Sequence, residues 1–429
     1  MTYLEIVLNI LLIGINFYFI RENVIKNSVV VALTSPIYIS LLSIYFSLLI
    51  IEYGAYVSEQ SIYGFPNFAS VYLLLYIFIL NIVVHREKTL SKVITKFKEN
   101  RNFYEYNNSQ SKGILYSFVL FTITNYYIIY ILGYGVGQNR FNPYGSYDYK
   151  EVFFKISILY STLLPLFIIR INNKFKVSLI LVILINSLIV MSTTSSFIQF
   201  IMPFGILVVL NKKYFQFNSL RKKYVRRYAI LIIILIICGL IIKYLSLNNK
   251  DILTLYYRYV VQGQLFWGSI NHPAEADLVY QFHNYLKHIA ELKGFNISLD
   301  YGFGYLMRFI SGDIAVRYIE VFGVRMTSGM PAILIVNFGI ILSFLIYIVI
   351  LKLFILFMKF YLNSLLYERI ILFVILSFIY SNVSDFILMG EYGHFNLLFL
   401  SYILLYTILR FTFNIRYHSK PKLISMNNL

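Results

Sequence analysis

Charge and cysteine are what this chain has least of. Only 13% of its 429 residues are charged, where a soluble domain carries roughly 25%. The hydrophobic share is 59%, and the mean hydropathy is +0.71. No soluble core hides that much apolar surface, so a water-soluble globular enzyme is excluded and a polytopic membrane protein is required. The single cysteine, Cys238, lies within IIILIICGLII. It has no partner for a disulfide and no neighbouring metal ligand, which leaves it as a small apolar residue of a helix. No HExxH, GxSxG, P-loop or dinucleotide fingerprint is present, and the six histidines form no metal-ligand spacing. The first twenty residues, MTYLEIVLNILLIGINFYFI, lack a basic leader and a small-residue cleavage site. They are expected to be a retained first helix.

What is present is a succession of apolar runs. Taking about 20 apolar residues as one crossing, eleven spans are expected, near 3–20, 29–51, 70–84, 114–136, 152–169, 177–192, 196–210, 229–247, 330–351, 370–389 and 395–413. The fold class is therefore all-α. The run 177–210 is interrupted by MSTTSS, which suggests a tight hairpin between two short helices. The net charge of +18 is distributed as a membrane protein requires, in short basic runs between spans, and this argues against a nucleic-acid partner. HREKTLSKVITKFKENR holds six basic and two acidic residues, and NKKYFQFNSLRKKYVRRY holds seven basic and none acidic. With Arg170, Lys174, Lys176 and the tail residues Arg416, Lys420 and Lys422, they fall on one side of an eleven-span topology. That side is assigned as cytoplasmic, with the N-terminus outside and the C-terminus inside.

Four regions follow: a bundle over 1–247, a large extracytoplasmic loop over 248–326, further transmembrane helices over 327–413, and a basic cytoplasmic tail over 414–429. The loop holds seven basic and seven acidic residues. A loop of this length is usually functional. Within it, EADLVYQFHNYLKHIAEL places Leu278, Phe282, Tyr285, Ile289 and Leu292 on one helical stripe, which predicts an amphipathic helix lying on the membrane surface or against the bundle. Asp313, Arg317 and Glu320 share a helical face.

Arginine with aromatics is the chemistry the loop offers. YYRYVVQGQLFWGSINHP contains Arg258, the only tryptophan, Trp267, and His272. Guanidinium groups bind phosphate through paired hydrogen bonds and stay charged. At a membrane the available phosphates belong to lipids: ordinary head groups, or the pyrophosphate of a lipid-linked sugar. Trp267 offers a face to a sugar ring or an anchor at the interface. In VFGVRMTSGMPAILIVNFG, Arg325 stands at the expected outer edge. Thr327, Ser328, Gly329 and Pro331 follow, where the chain turns into the ninth span.

Three segments carry a resemblance. LDYGFGYLMRFI (299–310), RMTSGMPAILIVNFGIILSF (325–344) and MSTTSSFIQFIMPF (191–204) resemble stretches of the Wzy-type O-antigen and oligosaccharide repeat-unit polymerases. Many spans with a dominant external loop late in the chain resemble the same family, whose architecture is GT-C-like. The family's Gly-Ser/Thr-Arg stretch has no arginine here at 191–204. FHNYLKHIAELKGF (282–295) is similar to the His-Asn-x-x-Leu segment of the related O-antigen ligases. The resemblance implies metal-independent glycosyl transfer, with no cofactor, on the outer leaflet of a bacterial inner membrane. The substrate is an oligosaccharide repeat unit on undecaprenyl pyrophosphate, the product O-antigen or capsular polysaccharide, and a chain-length regulator a partner. On this reading Arg258 and Arg325, with Arg317 in support, are expected to bind pyrophosphate and Trp267 sugar; Asp277, His283 or His272 is the expected general base. An O-antigen ligase and a lipid-linked oligosaccharide flippase are the alternatives.

Overall fold

The computed structural model describes residues 2–52, 68–90, 92–93, 108–127, 263–290, 299–310, 329–366, 370–390 and 397–418, with 167, 171, 175, 178, 179, 182, 312 and 395. Every regular element among them is helical. The helices are α1 (Tyr3–Lys26), α2 (Ser28–Glu52), α3 (Ala69–Arg86) and α4 (Asn108–Tyr126), then α5 (263–271), α6 (Leu278–Ala290) and α7 (302–310), then α8 (Gly329–Leu366), α9 (Ile370–Met389) and α10 (Leu397–His418). Among the described residues, four stretches are long and apolar enough to cross a bilayer: Tyr3–Lys26, Leu33–Glu52, Ala69–Arg86 and Gly329–Leu365. Ile371–Tyr380 and Phe399–Arg410 are shorter apolar segments. The protein is thus a helical membrane protein. The first three expected spans and the tenth and eleventh coincide with helices. The expected spans at 196–210 and 229–247, the MSTTSS hairpin and Cys238 lie outside the described residues, as do nearly all of 152–169 and 177–192.

The N-terminal helices are joined by a polar seam. Thr2 and Glu5 form a capping box: the Thr2 hydroxyl accepts from the Glu5 N–H at 3.2 Å and Glu5 Oε2 accepts from the Thr2 N–H at 2.6 Å. The other carboxylate oxygen of Glu5 accepts from the Phe68 N–H at 2.9 Å, at the start of α3. Glu52 accepts from the Ser70 N–H at 3.2 Å. Two buried carboxylates therefore sit on the free N–H groups of one helix N-terminus, where the dipole favours negative charge.

Down the seam, α1 presents Asn9, Asn16 and Asn23, seven residues apart and so on one face. Asn16 donates to the Leu74 carbonyl (3.1 Å), Asn23 to the Asn81 carbonyl (3.0 Å) and Asn27 to the Val84 carbonyl (3.0 Å). Asn81 donates back to Asn16 Oδ1 at 2.8 Å and accepts from the Tyr38 hydroxyl at 2.7 Å. The nearly constant offset along the chain means that α1 and α3 run parallel, with α2 returning between them. Interhelical hydrogen bonds of this kind hold helices where lipid supplies no hydrophobic drive.

The C-terminal helices pack through rings. Phe354 meets Tyr380 and Tyr361 meets Phe373, pairings that set α8 and α9 antiparallel. Phe378 stacks on Tyr402 at 5.5 Å and Phe386 meets Phe395, just before α10, at 5.2 Å, and the two pairings together set α10 antiparallel to α9. The two halves meet at Tyr76 of α3. Its ring lies 4.6 Å from Phe344 and 5.0 Å from Tyr347, and its hydroxyl is hydrogen-bonded to Ser343 at 2.6 Å.

The ninth span departs from expectation. It was expected as one crossing over 330–351, but α8 runs on to Leu366 and is interrupted at Gly339. Gly339 adopts φ 76° and ψ 171°, a region essentially confined to glycine. The long helix is thus two arms, a short one before Gly339 and a long one after it. The helix continues past residue 351 through Lys352 and Lys359, whose long stems let their charges reach away from an apolar helix.

Two substitutions test these arrangements. Asn81→Leu removes the hub of the seam and is expected to destabilise the protein by about 1–2 kcal/mol, at the upper end for interhelical bonds in membranes. Gly339→Ala is expected to cost about 1–3 kcal/mol from backbone strain alone, because its new methyl would meet only Ala274 Cβ, at 3.6 Å. Gly14→Ala, a helical position with nothing within 4 Å, serves as the comparison and is expected to be neutral or stabilising by up to about 1 kcal/mol. Thermal unfolding in detergent micelles measures all three.

Candidate functional site

The interruption at Gly339 creates the site's frame. In a continuous helix the carbonyls of Ile335 and Val336 would accept from the N–H groups of residues 339 and 340. With the backbone turned aside at Gly339, those carbonyls need other donors. The segment between α5 and α6 supplies them: the Ala274 N–H donates to the Ile335 carbonyl at 3.0 Å and the Ala276 N–H to the Val336 carbonyl at 3.1 Å. One turn further on, buried Gln281 donates through Nε2 to Asn337 Oδ1 at 2.9 Å. The Asn-Phe-Gly tripeptide 337–339 is thereby clamped by residues 274–281.

The clamp shapes a turn with a histidine at its start. After α5, the His272 N–H donates to the Ser269 carbonyl at 3.3 Å. Pro273 follows, and Ala274 takes the left-handed conformation at φ 60°, which is uncommon for a residue with a side chain. The reversal brings Glu275 back onto His272, with Nδ1 2.9 Å from Glu275 Oε2. Both side chains remain about half exposed, at 48% and 52%. A carboxylate on Nδ1 fixes the imidazole orientation and leaves Nε2 to act on an incoming hydroxyl. The His272 ring also meets Phe309 edge-on at 5.7 Å.

Helix α7 lies beside this turn. It approaches α5 closely because Gly268 has no side chain: a Cβ there would come within 2.4 Å of Ile310. Phe309 stacks on Tyr305 at 5.8 Å, and the Tyr305 hydroxyl accepts from the Asp277 N–H at 3.3 Å. Arg308, on the exposed side of α7, contacts Asp300 at 3.4 Å, and Asp300 also accepts from the Tyr280 hydroxyl at 2.8 Å. That hydrogen bond, with burial and the carboxylate's charge adding to it, holds the Tyr280 hydroxyl above its ordinary pKa. α7 thus touches the histidine pair through Phe309 and carries a cation, Arg308, on the residue before it.

The residues singled out in the sequence divide as follows. Arg258, Arg317 and Arg325 lie outside the described residues, with Thr327 and Ser328. His272 is oriented by Glu275. Asp277 is the N-cap of α6, its Oδ1 accepting from the Tyr280 N–H at 2.9 Å, and helix capping accounts for a carboxylate there. His283 is exposed on α6 and has no hydrogen bond to another described residue. Trp267, expected as a sugar platform or an interface anchor, is 3% exposed in the apolar core, on a helix buried over 263–270. The expected apolar stripe of α6 also faces elsewhere: Gln281 is the buried residue, whereas Leu278 and Phe282 are exposed. The reason is Asn337, which rewards an amide on the inner face.

Sequence reasoning passed over Glu275, Tyr280, Asp300, Arg308 and Gln281. The signal for Glu275 was its place three residues after His272 across a proline. For the others no local signal exists, since their partners are distant in the chain.

Residues 296–408, less than half of the chain, match a family described as Family of unknown function (DUF6418). The match takes in α7, α8, α9 and most of α10, with Asp300, Arg308 and the Asn337–Gly339 break, and begins after the His272 turn. No curated protein and no solved structure matches the chain.

Gln281→Leu and Asn337→Leu each remove the hydrogen bond between buried Gln281 and half-buried Asn337 and are expected to cost about 1–2 kcal/mol. The double variant is expected to cost less than the sum, because the two act as one unit. Thermal unfolding of the three proteins in micelles gives the coupling directly.

Proposed function

We propose that the protein is a membrane glycosyltransferase that polymerises oligosaccharide repeat units carried on undecaprenyl pyrophosphate, building O-antigen or capsular polysaccharide at the outer face of a bacterial inner membrane. The observation that carries this reading is the His272–Glu275 pair, half exposed and next to α7. Its support is the resemblance of 299–310 and 325–344 to repeat-unit polymerases, since those segments form α7 and the interrupted start of α8.

In this reading the acceptor sugar hydroxyl approaches His272 Nε2, which takes its proton as the oxygen attacks the donor C1. The C1–O bond to the pyrophosphate breaks, and the lipid pyrophosphate leaves with the bonding pair. Glu275 holds the imidazole and stabilises the imidazolium. Negative charge grows on the leaving group, so fixed cations lower the barrier most. Arg258, Arg317 and Arg325 are proposed for that role, with Arg308 near the histidine side of the site. The N-terminus would be periplasmic and the C-terminus cytoplasmic, with a chain-length regulator as a further partner.

A second reading has one observation in its favour. Interrupted helices inside a membrane recur in transporters, so Gly339 also suits a flippase for lipid-linked sugars.

Deletion of the gene separates these: loss of a polymerase leaves lipopolysaccharide core bearing one repeat, whereas loss of a flippase or ligase leaves bare core on a gel. With membrane levels matched, His272→Ala is expected to lower polymerisation by about 100-fold or more, and Glu275→Gln by less. Arg258→Ala and Arg325→Ala should shorten the surface glycan, with Lys only partly restoring it because it lacks the paired donors. Long chains persisting in every variant would end the proposal.

A further inference from the structure

α6 has three faces rather than two. At about 100° per residue, Gln281, Tyr285 and His288 fall together and turn toward the bundle, the first buried and the others partly so. Tyr280, His283 and Lys287 form a second, polar and exposed sector. Val279, Phe282 and Leu286 form the third, apolar yet 80%, 61% and 47% exposed. A helix in water gains nothing by presenting such a face, and a helix wholly inside a bundle would bury it.

The bundle side of α6 is tied to the start of a helix whose outer side is also apolar. The Tyr285 hydroxyl donates to the Phe395 carbonyl, just before α10. α10 then exposes Leu397, Leu400 and Leu404 on one side of an apolar helix. The bond ties the bundle side of α6 to the beginning of that helix. Lys287, on the polar sector and in the last turn, adds a cation of the kind attracted to lipid phosphates.

We propose that α6 lies along the membrane–water boundary, with Val279, Phe282 and Leu286 among the acyl chains of bilayer lipid and His283 and Lys287 in water. Protein, lipid and water each take one face of the helix. Its N-terminus, and with it the His272–Glu275 turn, is thereby pinned at the membrane surface. This placement rests on the helical membrane fold and not on the glycosyl-transfer reading.

Site-directed spin labelling tests it. In full-length protein carrying Cys238→Ser, single substitutions Val279→Cys, Phe282→Cys, Leu286→Cys, His283→Cys and Lys287→Cys are labelled with a nitroxide. All five positions are exposed, so the core is undisturbed. The protein is reconstituted in vesicles of phosphatidylethanolamine and phosphatidylglycerol, and relaxation by oxygen and by an aqueous nickel chelate is measured. Labels at 279, 282 and 286 are expected to favour oxygen at least several-fold over those at 283 and 287, which should favour nickel. Nickel access at 279 and 282 equal to that at 287 would overturn the proposal, placing the face in water. Shielding of 279, 282 and 286 from both reagents would overturn it too, placing a second copy or another protein on the face.

Discussion

A backbone group left without a partner inside a membrane costs several kcal/mol, because no water is there to take it. The interruption of α8 at Gly339 creates that problem, and the organisation of the described C-terminal half follows from its solution. The freed carbonyls of Ile335 and Val336 draw in the N–H groups of Ala274 and Ala276. Those contacts fix the turn after α5, the turn sets Glu275 on His272, and Asp277 then starts α6. One non-helical glycine thus determines where a titratable pair can stand.

The N-terminal helices meet the same constraint differently. There the helices are unbroken, and side-chain amides of Asn9, Asn16 and Asn23 bind partners across the seam. The result is a parallel α1–α3 pair held in register over its whole length. Tyr76 then joins this rigid unit to the long arm of α8 through Ser343, Phe344 and Tyr347. The broken helix therefore stands against a fixed wall, a suitable foundation for a site that must hold its geometry beside a fluid bilayer. The two buried carboxylates of that wall, Glu5 and Glu52, accept hydrogen bonds from backbone N–H groups at the start of α3.

For the proposed function, the arrangement combines an oriented imidazole and a neighbouring helix with a cation, and the proposed place of α6 adds proximity to lipid. Glycosyl transfer from a lipid pyrophosphate needs those three things. A base must meet the acceptor, positive charge must meet the leaving group, and the site must be reachable by a substrate whose tail stays in the membrane. Trp267 is buried in the core, whereas the stacked Tyr305 and Phe309 lie beside the His272 turn.

The sequence by itself determined the class and the placement of most described helices. Composition and apolar run length are sums over neighbouring residues, and the bilayer reads those sums directly. α1, α2, α3 and α9 lie where the runs predict. His272 was legible as a candidate because it stood in a polar loop beside arginine and tryptophan. The tertiary structure alone decided that Glu275 orients His272, that Asp277 serves as a cap, that Gln281 turns inward and Phe282 outward, and that α8 breaks at Gly339. Glu275 and Asp277 have near partners, but the turn that carries them is held by the distant Ile335 and Val336 carbonyls, and Gln281 turns inward to the distant Asn337. Periodicity over a few turns carries no information about a hydrogen bond that closes only when distant segments meet.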